Sequence, residues 1–316
     1  MTLTDSPWRE DAAAILPDLV DLRRAIHAEP ELGLQNPKTL AKIKAALEGL
    51  PLEFREGKST TGLIAILRGS DNGRTVLLRG DMDALPLHED TGLDYSSTVE
   101  GAMHACGHDT HVAMLVGAAK ILSAKRDHLA GTVMFMFQPG EEGHHGARFM
   151  LDDGIIDPLP DAAFALHIMP NAPHGVFSGR AGPLLASSDK LHITVKGRGG
   201  HASMPHDALD PVPIACEIVS AIQAMVTRKV SVFDPAVVTI AHIKAGTTDN
   251  IIPETAEMWG TIRTLSPRQR AHVGEELKRL GEGIATAHGA SAEVEIVQGF
   301  PVTICDARAA AFGQRV

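Results

Sequence analysis

Four short apolar runs constrain this chain most: Gly62–Leu67, Thr75–Leu78, Thr132–Phe137 and Ala162–Leu166. Unbroken apolar segments of this length read as buried strands of a sheet. The last three are each followed at once by groups able to bind a metal or move a proton. Asp81 and Asp83 follow the first of them, in Arg79-Gly80-Asp81-Met82-Asp83-Ala84-Leu85-Pro86. Glu141 and Glu142 follow the second, in Gln138-Pro139-Gly140-Glu141-Glu142-Gly143, and His167 ends the third. Ligands of α/β sheets bind in the crevice at the carboxyl ends of the strands. Chance would scatter such residues over strand starts and helix faces as well, so the pattern predicts an α/β sheet with a metal centre along one edge.

The densest stretch lies between the first and second of these strands. Met103-His104-Ala105-Cys106-Gly107-His108-Asp109-Thr110-His111 packs three imidazoles, a thiol and a carboxylate into one loop. Imidazole and thiolate suit zinc and its borderline neighbours, while carboxylate also suits Mn²⁺. Gly107 allows a bend that turns Cys106 and His108 toward one point. The apolar run Val112–Leu122 reads as a helix, which puts the loop at a helix N-terminus, where the dipole favours thiolate.

With 316 residues the chain is long enough for about two domains. Its net charge of −10 argues against nucleic acid and anionic membranes as partners. Three scattered cysteines (Cys106, Cys216, Cys305) form no disulfide framework and point to a reducing, cytoplasmic setting. The polar opening stretch Met1–Glu10 has no signal-peptide pattern, and no apolar run is long enough to span a membrane.

In chain order, Leu19, Leu22 and Ile26 predict a helix with Pro17 in its first turn, and Pro37–Leu47 a second helix capped by Asn36. Ser70-Asp71-Asn72-Gly73 predicts a tight turn joining Gly62–Leu67 and Thr75–Leu78 as a hairpin. A short helix is expected over Ala147–Leu151. Past Ser187 the pattern is strand (Leu191–Lys196), helix (Pro211–Val230), strand (Ala236–Lys244), strand (Glu257–Leu265), helix (Pro267–His288, capped by Ser266) and strand (around Val294 and Ile296). That is the β-α-β-β-α-β order of a ferredoxin-like unit.

Adjacent glutamates suggest a division of labour, one ligating metal and the other taking a proton from water, provided Gly140 and Gly143 let the backbone turn between them. Asp81 and Asp83 read as ligands or as orienters of a ligand histidine. His104 and His111 read as supporting or surface residues, and His144 and His145 as exposed neighbours. Cys216 falls on the apolar face of its helix, and Cys305 near the end reads as structural or free. His201, in Gly199-Gly200-His201-Ala202-Ser203, reads as a loop histidine or as a donor to a substrate carbonyl.

Taken jointly, these motifs closely resemble the peptidase M20 family, over nearly the whole chain and in the family's order. The resemblance is closest to the amidohydrolase branch of hippurate, N-acyl-amino-acid and indole-acetyl-amino-acid hydrolases. It implies a metallopeptidase-type α/β catalytic domain, a mixed sheet flanked by helices, with an inserted α+β ferredoxin-like lid that forms a homodimer. The corresponding segments are 1–188 (catalytic), 189–298 (lid) and 299–316 (start of the return to the catalytic domain). It implies two divalent metal ions, Mn²⁺ or Zn²⁺ foremost, with Co²⁺ or Ni²⁺ as further options. By matching positions, Cys106, His108, Glu142 and His167 are ligands, Glu141 is the general base and Asp83 supports the site. His201 and Asn250 match lid residues that contact substrate, and Arg263 matches a position that holds the substrate carboxylate. The family's chain continues further and carries one more histidine ligand with no match here, so an incomplete catalytic sheet and a metal site one ligand short are expected. The implied activity is hydrolysis of small N-acyl amino acids to a carboxylic acid and a free amino acid. The alternatives are an impaired homologue that binds and dimerises, or a metallo-exopeptidase for dipeptides.

Overall fold

A computed structural model describes residues 7–315. Of the polar opening stretch, Met1–Ser6 lie outside the described residues. By packing the chain divides into one unit that ends at Val176 and a second that begins at Phe177. The division thus falls before the 188/189 boundary expected from the sequence. The segment 299–316 is expected to begin a return to the catalytic domain; its described residues, 299–315, group with the second unit, where β13 (Thr303–Cys305) pairs antiparallel with β6 (Gly182–Leu185).

The first unit holds helices α1 (Pro7–His27), α2 (Pro37–Ala46), α3 (His108–Ala124) and α4 (Gly146–Asp152) around one sheet. Its strands are β1 (Leu52–Glu56), β2 (Leu63–Arg68), β3 (Ser70–Asp81), β4 (Ala130–Gln138) and β5 (Ala162–Ala165), in the order β1-β2-β4-β3-β5. β3, β4 and β5 are parallel, whereas β2 runs antiparallel to β4 and β1 antiparallel to β2. The expected hairpin is therefore wrong. β4 lies between β2 and β3, with Leu63 opposite Phe137 on one side and Leu78 beside Phe135 on the other. The turn signal is local, whereas the partner of both strands is β4, more than fifty residues further along the chain.

The apolar runs are unbroken because both faces of the sheet are covered. Leu63, Ala65, Leu67, Phe135 and Phe137 pack with Ile26, Ile43, Val112 and Val116 of the first three helices. Ile64, Ile66, Met134 and Met136 pack on the other side with Met150 of α4. α1 begins at Pro7 and carries Pro17 in its interior, where the sequence suggests a first turn. Asn36 occupies the N-cap position of α2 but its side chain makes no cap bond. Glu31 does that work from outside the helix, accepting from Lys38 N at 3.1 Å and Thr39 N at 2.8 Å.

The second unit is built as expected: β7 (Ser188–Lys196), α5 (Pro211–Lys229), β9 (Ala236–Ala245), β11 (Thr255–Thr264), α6 (Pro267–Ala287) and β12 (Ser291–Phe300). The sheet order is β12-β7-β11-β9 with every pair antiparallel. Both helices cover one face, so β7 alternates, with Leu191, Ile193 and Val195 buried against Ile214, Ile218 and Leu277. Ser266 caps α6 by accepting from Gln269 N, as its position suggests. Cys216 is exposed on α5, contrary to expectation, because the buried stripe runs through Ile214, Ala215, Ile218 and Ile222. Helix α7 (Ala307–Gly313) is capped by Asp306. No helix among the described residues is long and apolar enough to cross a membrane.

Candidate metal centre

The parallel arrangement of β3, β4 and β5 brings their carboxyl ends to one edge of the sheet, so Asp81, the Glu141–Glu142 turn and His167 leave on the same side. The loop before α3 adds Cys106 and His108. Gly107 between them is at φ +85°, and a Cβ there would lie 2.5 Å from Ile168 Cγ2. A left-handed bend and a close approach both require glycine at that position. Gly140 (φ +65°) and Gly143 (φ +83°) turn the glutamate pair in the same way.

Asp83 organises the centre. Its two carboxylate oxygens accept the backbone N–H groups of Glu141 and Glu142, each at 2.9 Å. Its backbone carbonyl accepts from His108 Nδ1 at 2.8 Å. Donation from Nδ1 turns Nε2 of His108 toward Asp81 Oδ2 (3.4 Å), Glu142 Oε1 (3.8 Å) and Glu141 Oε2 (3.9 Å). Cys106 Sγ and His167 Nε2 stand 3.3 Å apart beside it.

Three donor groups result: Cys106, His108 and His167; His108, Glu141 and Glu142; and Asp81, His108 and His111. In the third, both nitrogens of His111 are already taken, Nδ1 by Asp81 at 2.6 Å and Nε2 by the amide of Ile168 at 3.0 Å. The first two share His108 and contain every ligand expected from the sequence.

These residues fit divalent metal. Spacings of 3.3 to 3.9 Å suit donor atoms that share an ion at about 2.0–2.3 Å each. His108 Nε2 and Glu142 Oε1 are buried without a hydrogen bond partner among the described residues. A buried ring nitrogen encircled by carboxylates calls for positive charge. Burial opposes a proton there, yet hydrogen bonds with Asp83 and Cys106 and the charge of Asp81 outweigh it and carry the His108 pKa to about 11. Burial, then the charges of Asp81 and Glu142, hold the Glu141 carboxyl above its ordinary range, which favours proton uptake. Asp81 goes the other way. Burial raises it, but the His111 hydrogen bond and the Arg79 guanidinium bring it to about 2.

The remaining predicted residues lie in the second unit. His201 is exposed, and its Nδ1 accepts from Ser203 N at 3.1 Å, which leaves the proton on Nε2. The short pairing of β8 (Gly200–His201) with β10 (Ile251–Ile252) sets Asn250 beside it, the Asn250 carbonyl accepting from Ala202 N at 3.1 Å. Arg263 is half-buried on β11 and donates to the carbonyl of Ile262 at 3.0 Å. Sequence reading gives no single role to Asp81, His104 or His111, all of them buried. His111 can be placed by its one-turn offset from His108, and the Asp81–Arg79 pair (2.7 Å) by the two-residue spacing that sets both on one face of β3.

Comparison with known proteins agrees with this geometry. Residues 77–316 match Peptidase family M20/M25/M40. N-acetylcysteine deacetylase of Bacillus subtilis (strain 168) is 43% identical over 276 residues, 87% of this chain and 72% of that protein. Thermostable carboxypeptidase 1 of Saccharolobus solfataricus is 40% identical over 300 residues, 94% of this chain and 76% of that protein. A solved Bacillus subtilis structure, described as a dinuclear metal binding peptidase from the M20 family, superposes with a TM-score of 0.82 at 37% identity, covering 96% of this chain and 81% of that one. The ordered motifs, the sheet that gathers them and these likenesses agree: the chain belongs to peptidase family M20/M25/M40.

Proposed function

We propose that this protein hydrolyses the amide bond of small N-acyl amino acids, acetylated and hippurate-like ones included, to a carboxylic acid and a free amino acid. The coarser statement, that it is a metal-dependent amidohydrolase, follows from its family. One observation carries the finer reading, the 43% identity to an N-acetylcysteine deacetylase; the mechanism rests on Asp83, which holds the backbone of both glutamates so that one carboxylate can face the metal while its neighbour keeps a raised proton affinity.

Cys106, His108, Glu142 and His167 would hold two divalent ions, Mn²⁺ or Zn²⁺ by donor chemistry. Bound there, the ions supply Lewis acidity to the scissile carbonyl and to the attacking water. Glu141 takes the proton from that water and returns it to the leaving amine. Asp83 acts through the glutamates it orients. His201 offers its Nε2–H to the developing oxyanion, Asn250 contacts substrate beside it, and the Arg263 fork receives the substrate carboxylate. Three free cysteines support a reducing, cytoplasmic setting. The edge strand β9, with Val237 (57% exposed) and Ile243 (50% exposed), supports a homodimer through the lid. Sedimentation of wild type against Ile243→Lys tests it, and a wild type that sediments as a monomer refutes it.

A second reading, removal of residues from short peptides, is favoured by the 40% identity to a carboxypeptidase. A panel of N-acetyl and N-benzoyl amino acids and dipeptides, assayed for released amino acid with Mn²⁺ or Zn²⁺ added, separates the two. Glu141→Gln should lower kcat by about 10²–10⁴ while metal content holds. Release from dipeptides alone would replace the first reading with the second; equal release by the variant would refute the role of Glu141.

A further inference from the structure

His111 sits one helical turn after His108 in α3, and its ring is buried. Because Nε2 accepts the amide hydrogen of Ile168, the proton is on Nδ1, which donates to Asp81 Oδ1. Asp81 Oδ2 also forms an ion pair with Arg79 Nη1 at 2.7 Å, and Arg79 Nε donates to Gln138 Oε1 at 2.9 Å. One chain of contacts therefore touches the ends of β3 (Arg79, Asp81) and β4 (Gln138), the first turns of α3 (His111) and the segment just past β5 (Ile168). Three of these places adjoin the predicted ligands His108, Glu142 and His167, and the fourth, the end of β3, leads into Asp83.

The link to Ile168 matters most. β5 is an edge strand of four residues, and Leu166, His167 and Ile168 after it are exposed. The His111 ring meets the His167 ring edge-on at 4.7 Å between centroids, and Ile168 closes on Gly107. His111 cannot use its Nε2 lone pair for a metal while that lone pair holds the Ile168 amide.

We infer that His111 is a positioning residue that fixes His167 against Cys106 and His108 through the Ile168 amide, with Asp81 setting its tautomer. This rests on His167 being a metal ligand, as proposed above. Residues that orient metal ligands typically contribute 10–100-fold to affinity.

The test is Zn²⁺ titration of the metal-free full chain by calorimetry, with circular dichroism to check the fold. His111→Phe and His111→Asn should each weaken binding by about 10–100-fold. His111→Gln, whose longer side chain places an amide oxygen where Nε2 accepts from Ile168, should recover most of it. His167→Ala should weaken binding too, and adding His111→Phe to it should cost nothing further, because the group being positioned is gone. If His111→Phe does not fold, His111→Asn carries the cycle. Wild-type affinity in folded His111 variants, or losses that add in the double variant, would overturn the inference. Wild-type affinity in His167→Ala would overturn the ligand assignment itself, and the inference with it.

Discussion

The two histidine loops of this protein are built in opposite ways. Where the first loop runs into α3, His108 and His111 are buried in the first turn of the helix, and their partners (Asp83, Asp81, Ile168) lie at least 25 residues away in sequence. In the loop after β7, His201 is exposed and its ring is held by Ser203, two residues on. The first arrangement assembles charge that water would otherwise screen, so it needs distant elements to converge and a cation to balance it. The second is a local motif that leaves a ring nitrogen exposed, as the role proposed for His201 requires. A metal centre must be pre-formed, whereas a substrate-contacting residue can remain solvated until it is used.

The contrast can be broken by substitution. Asp83→Ala should do the most damage, since it strips the acceptors from two backbone N–H groups at once. Thermal unfolding should show a loss of about 3 kcal/mol, and metal analysis should show reduced content; a folded, fully loaded variant would mean the glutamate turn holds itself. His201→Ala should leave metal content and unfolding unchanged and lower kcat on an N-acyl amino acid by about 10²-fold. A drop in metal affinity there would erase the distinction between the loops. Ser266→Ala, which removes a local cap in the second unit, should cost about 1 kcal/mol with no change at the metal centre.

The smallest effect concerns the buried pair behind the first loop. His27 Nδ1 lies 2.7 Å from Asp109 Oδ2 and its Nε2 3.3 Å from Glu89 Oε1, while Arg23 and His104 also face the pair. The Asp109 hydrogen bond raises the His27 pKa above its ordinary 6.5 against the effect of burial. A raised folded-state pKa adds stability that is complete below about 6.5 and fades as pH climbs through the folded value. Melting temperature should fall across that range in wild type and flatten in His27→Gln. Parallel pH curves would show that the pair is not charged.

Much of this was legible in one dimension. The alternating strands of the second unit and the capping serine of α6 follow from period and local hydrogen bonding, so their order emerged without a structure. The unbroken runs of β2 and β4 likewise announced a sheet covered on both faces. What failed had a distant cause. The Asn-Gly turn suggested a hairpin, yet β4, more than fifty residues on, supplied the partner for both strands. Asn36 had the identity of a cap, but the carboxylate of Glu31 reached the helix first. Cys216 was assigned to the wrong side of its helix because a run rich in apolar residues does not by itself mark the buried stripe.

The sequence by itself determined which residues could do chemistry here and that they would meet at strand ends, because donor type and strand period are local properties of the chain. Only the tertiary structure decided how they share the work. It spent both nitrogens of His111 on Asp81 and Ile168, left Nε2 of His108 facing three carboxylates, and aimed one aspartate at two backbone amides. Those assignments depend on distances of about 3 Å between segments that the chain separates by dozens of residues, and sequence spacing carries no information about them.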